Sequence, residues 1–304
     1  MSLTKLEVFE KVVEVGSVSK AAEALGLTQS AVSHALASLE AEWGFSLLQR
    51  DRSGVRLTSN GAHMLKYVRE VLHWHEQLKQ QVAAINGLEW GTVRIGTFTS
   101  VSSQWLPPMI QTFRTAHPSI HMKWFEGDYE EIHHWIVNGI VDFGFLSLSA
   151  SKTLDTIPLK KDPIVCVVPI NHPFSNQQTV TLSQIEREAF IMPKWGSDHD
   201  VRRILKENRL TPNIQYEIVE EQAIMAMVEC GLGISILPKM AIYRPPEHIR
   251  LIEIEGDHYR TIGIAATSFS HLSPAAKTFI RCLFEWLNEQ GMLDFPIERR
   301  FMLT

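Results

Sequence analysis

Gln29, Ser30, Ser33 and His34 lie close together, and on a helix they share one face of its first turns. An amide, two hydroxyls and an imidazole, with small alanines beside them, can hydrogen-bond to a flat polar surface at close range. The floor of a DNA major groove is such a surface, because base edges present donors and acceptors there. A second stretch supplies charge: Arg50, Arg52, Arg56, Lys66 and Arg69 face a single anion, Asp51, between positions 50 and 69. Arg50, Arg52 and Arg56 flank a Ser53-Gly54 turn and are placed to hold backbone phosphates. A third stretch is rich in hydroxyls. Thr97, Thr99, Ser100 and Ser102 follow an extended run and open a helix, where unpaired N–H groups and the dipole favour an anion such as a carboxylate. Residues of these types also serve as plain helix caps. Trp195-Gly196-Ser197-Asp198 and Glu220-Glu221 open two further helices and are candidates for a facing wall.

Histidine-rich segments invite a metal reading. His73, His75 and Glu76 are spaced by two and one, so on a helix they do not face together. Glu130, Glu131, His133 and His134 sit among Ile132, Trp135 and Ile136, the wet side of an amphipathic helix. No metal site and no cofactor are expected. The phosphate loop, the dinucleotide fingerprint, the G-x-S-x-G elbow and the H-E-x-x-H pair are all missing, so no nucleophile with a positioned base is in view and an enzyme is not expected. A small-molecule-binding protein or enzyme on a two-lobed fold stands as the alternative.

The elements that position these side chains can be read from apolar spacing. A helix over about Thr4 to Val15 puts Leu6, Phe9, Val12 and Val13 on one stripe. Ser19 can cap a second helix carrying Ala21, Ala22 and Leu25 that Gly26 ends. Thr28 can cap a third, beginning at Gln29, with Val32, Leu36 and Leu39 turned inward. Short extended pieces on either side of Ser53-Gly54 make a hairpin wing. From Ser59 to about Asn86 one long helix carries an apolar stripe that includes Leu65, Val68, Leu72, Leu78 and Val82. A second copy of itself is the natural cover for that stripe. Beyond Trp90 strand and helix alternate, which argues a parallel sheet with helices on its faces, and the pattern restarts near Pro163 with a strand at Ile164 to Pro169, suggesting two lobes.

Residues 3 to 61 resemble the N-terminal domain of LysR-type transcriptional regulators. The resemblance rests on Leu6, Phe9, Val12, Gly16-Ser17, Ser19, Ala21-Ala22, Leu25, Ser30-Ala31-Val32-Ser33, Leu39-Glu40, Gly44, Leu47-Leu48, Arg50, Leu57-Thr58 and Gly61. One departure is plain: Ala35, Ala37 and Ser38 stand where many members carry cations along the recognition helix, so phosphate contact must come largely from elsewhere. The resemblance implies an α/β chain with an all-α N-terminal part. It divides into a winged helix-turn-helix DNA-binding domain (1–58), a linker dimerisation helix (59–88) and a two-lobed α/β effector domain (89–304) resembling type II periplasmic binding proteins. Its lobes would be about 91–162 with 267–304, and 163–266, the chain crossing near Lys160 to Pro163 and again near Thr267. A small-molecule effector would bind in the cleft between lobes, at Thr97, Thr99, Ser100 and Ser102 on one side and Ser197 and Asp198 on the other. The partners implied are a double-stranded DNA operator, the effector, a second copy or a tetramer, and RNA polymerase.

Bulk properties bound the rest. At 304 residues, 45% hydrophobic and 21% charged, the chain can bury more than one core. The net charge of −5 gives no gross support to nucleic-acid binding, so the local cation patch has to carry it. Cys166, Cys230 and Cys282 are scattered and odd in number, which reads as reduced core thiols in a cytoplasmic protein. The longest apolar runs are strand-sized, and no membrane partner is expected.

Overall fold

The computed structural model describes residues 2–51, 54–87, 89–150, 153–194 and 197–296. The chain forms two compact units, Met1–Leu88 with Asn138–Ile140, and Glu89–Val137 with Val141–Thr304. In the first unit α1 (Leu3–Val15), α2 (Val18–Leu25) and α3 (Gln29–Trp43) precede the hairpin of β1 (Leu48–Asp51) and β2 (Gly54–Leu57), and α4 (Ser59–Ile85) follows. Leu6, Phe9 and Val12 pack with Val18, Ala21 and Ala22 and with Val32, Leu36 and Leu39 in one core. The inward triple of α3 leaves its first-turn polar side chains on the opposite face. The cap of α2 is Ser17 and not Ser19: its hydroxyl accepts from the Lys20 N–H at 3.4 Å. Val18 is itself buried, so the helix must already be in register there. Gly26, with φ of 66°, closes α2 in the left-handed conformation that side chains resist.

Helix α4 is pinned to this core at its first turn. A Cβ at Gly61 would lie 2.0 Å from the Leu47 carbonyl oxygen, so only glycine allows the crossing. Thr58 secures it, donating to the Ser46 carbonyl at 2.8 Å and accepting from the Gly61 N–H at 2.9 Å. Leu65 and Val68 then enter the core of their own chain and Leu72 packs against it. This corrects the expectation that all five stripe residues await a second copy. The N-terminal half of the stripe is already covered, whereas Leu78 and Val82 are 63% and 52% exposed.

The second unit runs β3 (Gly91–Thr97), α5 (Thr99–Gln104), α6 (Leu106–Ala116), β4 (Ile120–Glu126), α7 (Tyr129–Val137) and β5 (Phe143–Ser147). It continues with β6 (Asp155–Pro169), β7 (Thr179–Val180), α8 (Leu182–Ile185), β8 (Ala189–Pro193), α9 (Ser197–Glu207), β9 (Asn213–Ile218) and α10 (Glu221–Glu229). β10 (Ser235–Pro238), β11 (Ile249–Ile254), β12 (Tyr259–Ala266) and α11 (Pro274–Glu289) complete it. Strand order in the main sheet is β4-β3-β5-β12-β6-β11-β7, with β10 also on β6. β4, β3 and β5 are parallel as expected. β12 runs antiparallel to both its neighbours, so the sheet is mixed.

β6 serves both lobes. Its residues 155–163 pair with β12 and its residues 164–169 with β10 and β11. The expected strand at Ile164 to Pro169 is only the second half; the prolines and cations before it concealed the first. The return crossing is not near Thr267. β12 lies beside β5 in the first lobe, so the chain is back by Tyr259, and the lobes comprise residues 89–163 with 259–296, and 164–258. In the second lobe Ile164, Cys166 and Val168 face a core with Val201, Ile204 and Leu205 of α9, while Val165 and Val167 face another with Ile224, Met225 and Val228 of α10. Burial on both faces explains the unbroken apolar run. In the first lobe Phe279 of α11 stacks edge-on against Phe113 at 5.0 Å and tilted against Phe143 at 5.8 Å.

Of the three cysteines only Cys166 is a core thiol; Cys230 is exposed and Cys282 half-buried. Among the described residues no helix is long and apolar enough to cross a membrane.

Candidate functional site

Two sites follow from this frame, one in each unit. At the start of α3 the Thr28 hydroxyl accepts from the Ala31 N–H at 3.2 Å and pairs with the Ser30 hydroxyl at 3.0 Å. Gln29, Ser30 and His34 are exposed and Ser33 is half-buried, so the four share the wet face foreseen for them. The same helix anchors the wing. Glu40 accepts from the Leu47 and Leu48 N–H groups at 2.7 and 3.2 Å, and the Val55 N–H donates to the Gly16 carbonyl at 3.3 Å. Arg50 stands in β1 opposite Val55, and the exposed Arg56 in β2 opposite Gln49. Arg52 lies outside the described residues. A polar helix face and two arginine-bearing strands are thus held by one core, an arrangement able to meet base edges and phosphates together.

In the second unit the hydroxyl cluster does not act as four equal donors. Thr97 is buried at the end of β3 and its hydroxyl accepts from Ser102 at 3.3 Å. Thr99 is exposed and donates to Glu126 Oε1 at 3.1 Å. Ser100 is buried, and its oxygen accepts from Arg260 Nη2 at 2.9 Å. Arg260 is the centre that sequence reasoning missed. Its Nε donates to Asp162 Oδ2 at 2.8 Å and its Nη1 to the Tyr129 hydroxyl at 3.0 Å, and the guanidinium lies 5.0 Å from the Phe98 ring centroid. Burial works against charge on Arg260, yet Tyr129, Asp162 and Asp200 outweigh it and hold the guanidinium's pKa above its ordinary value. Burial pushes the Asp162 carboxyl and the Tyr129 phenol up as well. For Asp162 burial is the larger influence, and Arg260 and then the Met240 N–H oppose it. Two charge-assisted bonds, one from Arg260 and one from the Met240 N–H at 2.9 Å, are the geometry of an ionised pair.

The wall opposite is also different from expectation. Ser197 begins α9, and Trp195 and Gly196 lie outside the described residues. Asp198 is bound along the helix by Arg202 at 3.2 Å. Asp200, two residues on and therefore turned to the other side, is the acid that faces the first lobe. It is wholly buried, and its Oδ1 accepts from the Ser147 and Ser149 hydroxyls, both at 3.0 Å, across the lobes. Its Oδ2 is a buried oxygen with no hydrogen-bond partner. Arg260 carried one legible signal, a lone charge in a strand, whereas Asp162 follows Lys160 and Lys161 and carried none. Their facing register in β12 and β6 was not legible.

The remaining titratable clusters have local duties. Glu131 accepts from the Asp128 N–H at 3.0 Å while its own N–H donates to Asp128 at 2.8 Å, a reciprocal helix cap. His133 meets Thr153 at 3.1 Å and His73 meets Gln77 at 2.6 Å. Among the described residues no three His, Cys, Asp or Glu side chains gather as metal ligands would.

Comparison with known proteins accords with the two-part plan of the chain. Residues 3–62 match the family model described as "Bacterial regulatory helix-turn-helix protein, lysR family", and residues 86–288 match "LysR substrate binding domain". The chain is 34% identical to the uncharacterized HTH-type transcriptional regulator YvbU of Bacillus subtilis, covering 92% of this chain and 97% of that one. It is 33% identical to the probable HTH-type transcriptional regulator LrrA of Synechococcus elongatus, covering 93% and 96%. Among solved structures, a full-length OxyR from Pseudomonas aeruginosa superposes with a TM-score of 0.77 at 23% identity, covering 94% of each chain. CbnR in complex with its target DNA superposes with a TM-score of 0.64 at 20% identity, covering 94% of this chain and 99% of that one. At these identities the two structures speak to the fold alone.

Proposed function

This chain belongs to the LysR family of bacterial transcriptional regulators, and from that premise we propose which of its residues meet DNA and what kind of effector it takes. It is a DNA-binding transcriptional regulator of LysR type with an effector-binding domain. In our reading Gln29, Ser30, Ser33 and His34 read base edges of the operator, and Arg50, Arg52 and Arg56 hold its phosphates. LysR regulators oligomerise; here the pairing runs through the exposed end of α4 at Leu78 and Val82, giving a dimer or a tetramer. RNA polymerase is the further partner, the cytoplasm the compartment, and no catalysis is involved.

The effector is a small carboxylate seated at the hydroxyl cluster of Thr97, Thr99, Ser100 and Ser102, with the start of α9 closing from the second lobe. One observation carries this reading: Arg260 donates to the Ser100 oxygen at 2.9 Å from full burial. A fixed cation behind the hydroxyl leaves its proton free to point outward and favours an anion in front. Ser100 is therefore the principal donor, since Thr99 and Ser102 already spend theirs within the protein. The acid Asp200 on the other side suits an effector that also bears a hydroxyl or amine.

A thermal-shift screen of the full chain against small carboxylates, followed by calorimetry, tests this. The expected hit loses about tenfold or more affinity in Ser100→Ala, because a hydrogen bond to a charged group contributes roughly 1.5–3 kcal/mol. Operator binding without ligand stays as it was. Stabilisation only by cations or apolar molecules would overturn the carboxylate reading.

A further inference from the structure

Away from both sites, three side chains from three parts of the first lobe meet in a line. Cys282 of α11 has its sulfur 3.6 Å from His117 Nε2, and the other ring nitrogen, Nδ1, lies 2.6 Å from Glu89 Oε2. His117 is the residue that ends α6, its N–H donating to the Phe113 carbonyl at 2.8 Å, and its ring packs on the Phe113 ring with centroids 4.9 Å apart. The imidazole is therefore held by packing and by a carboxylate before the thiol is considered. Thiol and carboxylate occupy opposite ring nitrogens, so they cannot close on one metal ion. They are arranged to pass a proton: the carboxylate at Nδ1 fixes the tautomer and leaves Nε2 as the nitrogen that faces sulfur. The resting thiol is protonated, since burial and then the Glu285 carboxylate push its pKa up, and a base at hand is what such a thiol lacks when it stands alone.

We propose that Cys282 is a nucleophilic, modifiable thiol, with His117 as its base and Glu89 as the group that positions the base, and that its substrates are small disulfides able to reach a half-buried sulfur. In the reaction the Cys282 proton moves to His117 Nε2 and the sulfur attacks one sulfur of the disulfide. A new S–S bond forms as the old one breaks, and the departing thiolate takes the proton from His117. The protein is left as a mixed disulfide and one small thiol is released.

The chain carries its own controls, because Cys230 is exposed and Cys166 is buried. The full-length protein is treated with oxidised glutathione, and modification of each cysteine is timed by peptide mass spectrometry. Cys282 is expected to react faster than Cys230, with Cys166 silent. His117→Asn should slow Cys282 by about tenfold or more while leaving Cys230 unchanged. Glu89→Gln, a surface change that leaves the ring packed on Phe113, should slow it by a smaller factor at unchanged melting temperature, and keeps the test open if His117→Asn folds poorly. A Cys282 rate that is the same in the parent chain and in Glu89→Gln, or below that of Cys230 in the parent, would overturn the proposal.

Discussion

A side chain's type is visible in a sequence and its partner is not, and the two sites divide along that line. Gln29, Ser30, Ser33 and His34 were legible because helical geometry alone puts them on one face. Arg260 was not, because what makes it central is that β12 lies in register with β6 so that it meets Asp162, far away in the chain. Asp200 was hidden beside Asp198 for a related reason: both open α9, and only the lobe facing that helix decides which is buried. Two predictions belong at this scale. Ser33→Ala should change preference among operator variants by about 1–3 kcal/mol, whereas Arg56→Ala should weaken all DNA alike and reduce the salt slope by about 1, both read from gel shifts over a salt series. Arg260→Met should cost about 3–5 kcal/mol in urea unfolding, since it leaves the Asp162 carboxylate buried without its cation. Pairing it with Asp162→Leu should recover much of that loss, and a double variant as unstable as the single one would mean the pair is not the cause.

At the scale of elements, periodicity gave α1, α3 and α4 nearly to the residue, because each carries a cap and a stripe. It failed for the first half of β6, where Pro158, Lys160, Lys161 and Asp162 spoil both the propensity and the alternation, and pairing with β12 overrides them. The stripe of α4 shows what periodicity leaves undetermined, namely which partner covers each turn. Leu65 lies within its own chain's core, and Leu78 is exposed. Leu78→Glu should therefore leave the monomer folded and cost several kcal/mol of association, whereas Leu65→Glu should unfold the N-terminal unit itself. Sedimentation paired with circular dichroism distinguishes the two, and an unchanged oligomer in Leu78→Glu would place the interface elsewhere.

At the scale of the molecule, the two-lobed plan was expected and the assignment of β12 was not, because a strand's sequence does not say which sheet it joins. The lobes meet at polar contacts: Ser147 and Ser149 donate to Asp200, and Arg203 donates to the Tyr259 carbonyl at 2.8 Å. Ser147→Ala should cost about 1–3 kcal/mol, read from the urea midpoint, because it removes a donor from a buried carboxylate that already has one oxygen unpaired. The place of β12 also bears on how the protein is made. The first lobe is assembled from two stretches of chain with the whole of the second lobe between them, so the ribosome delivers β3, β4 and β5 long before β12 and α11. Phe143 and Phe113 emerge with no Phe279 to cover them, while the second lobe has all its strands in hand as soon as β11 is out. The nascent chain thus holds an uncovered aromatic face through most of its synthesis, a span in which a chaperone can bind it and a neighbouring chain can too.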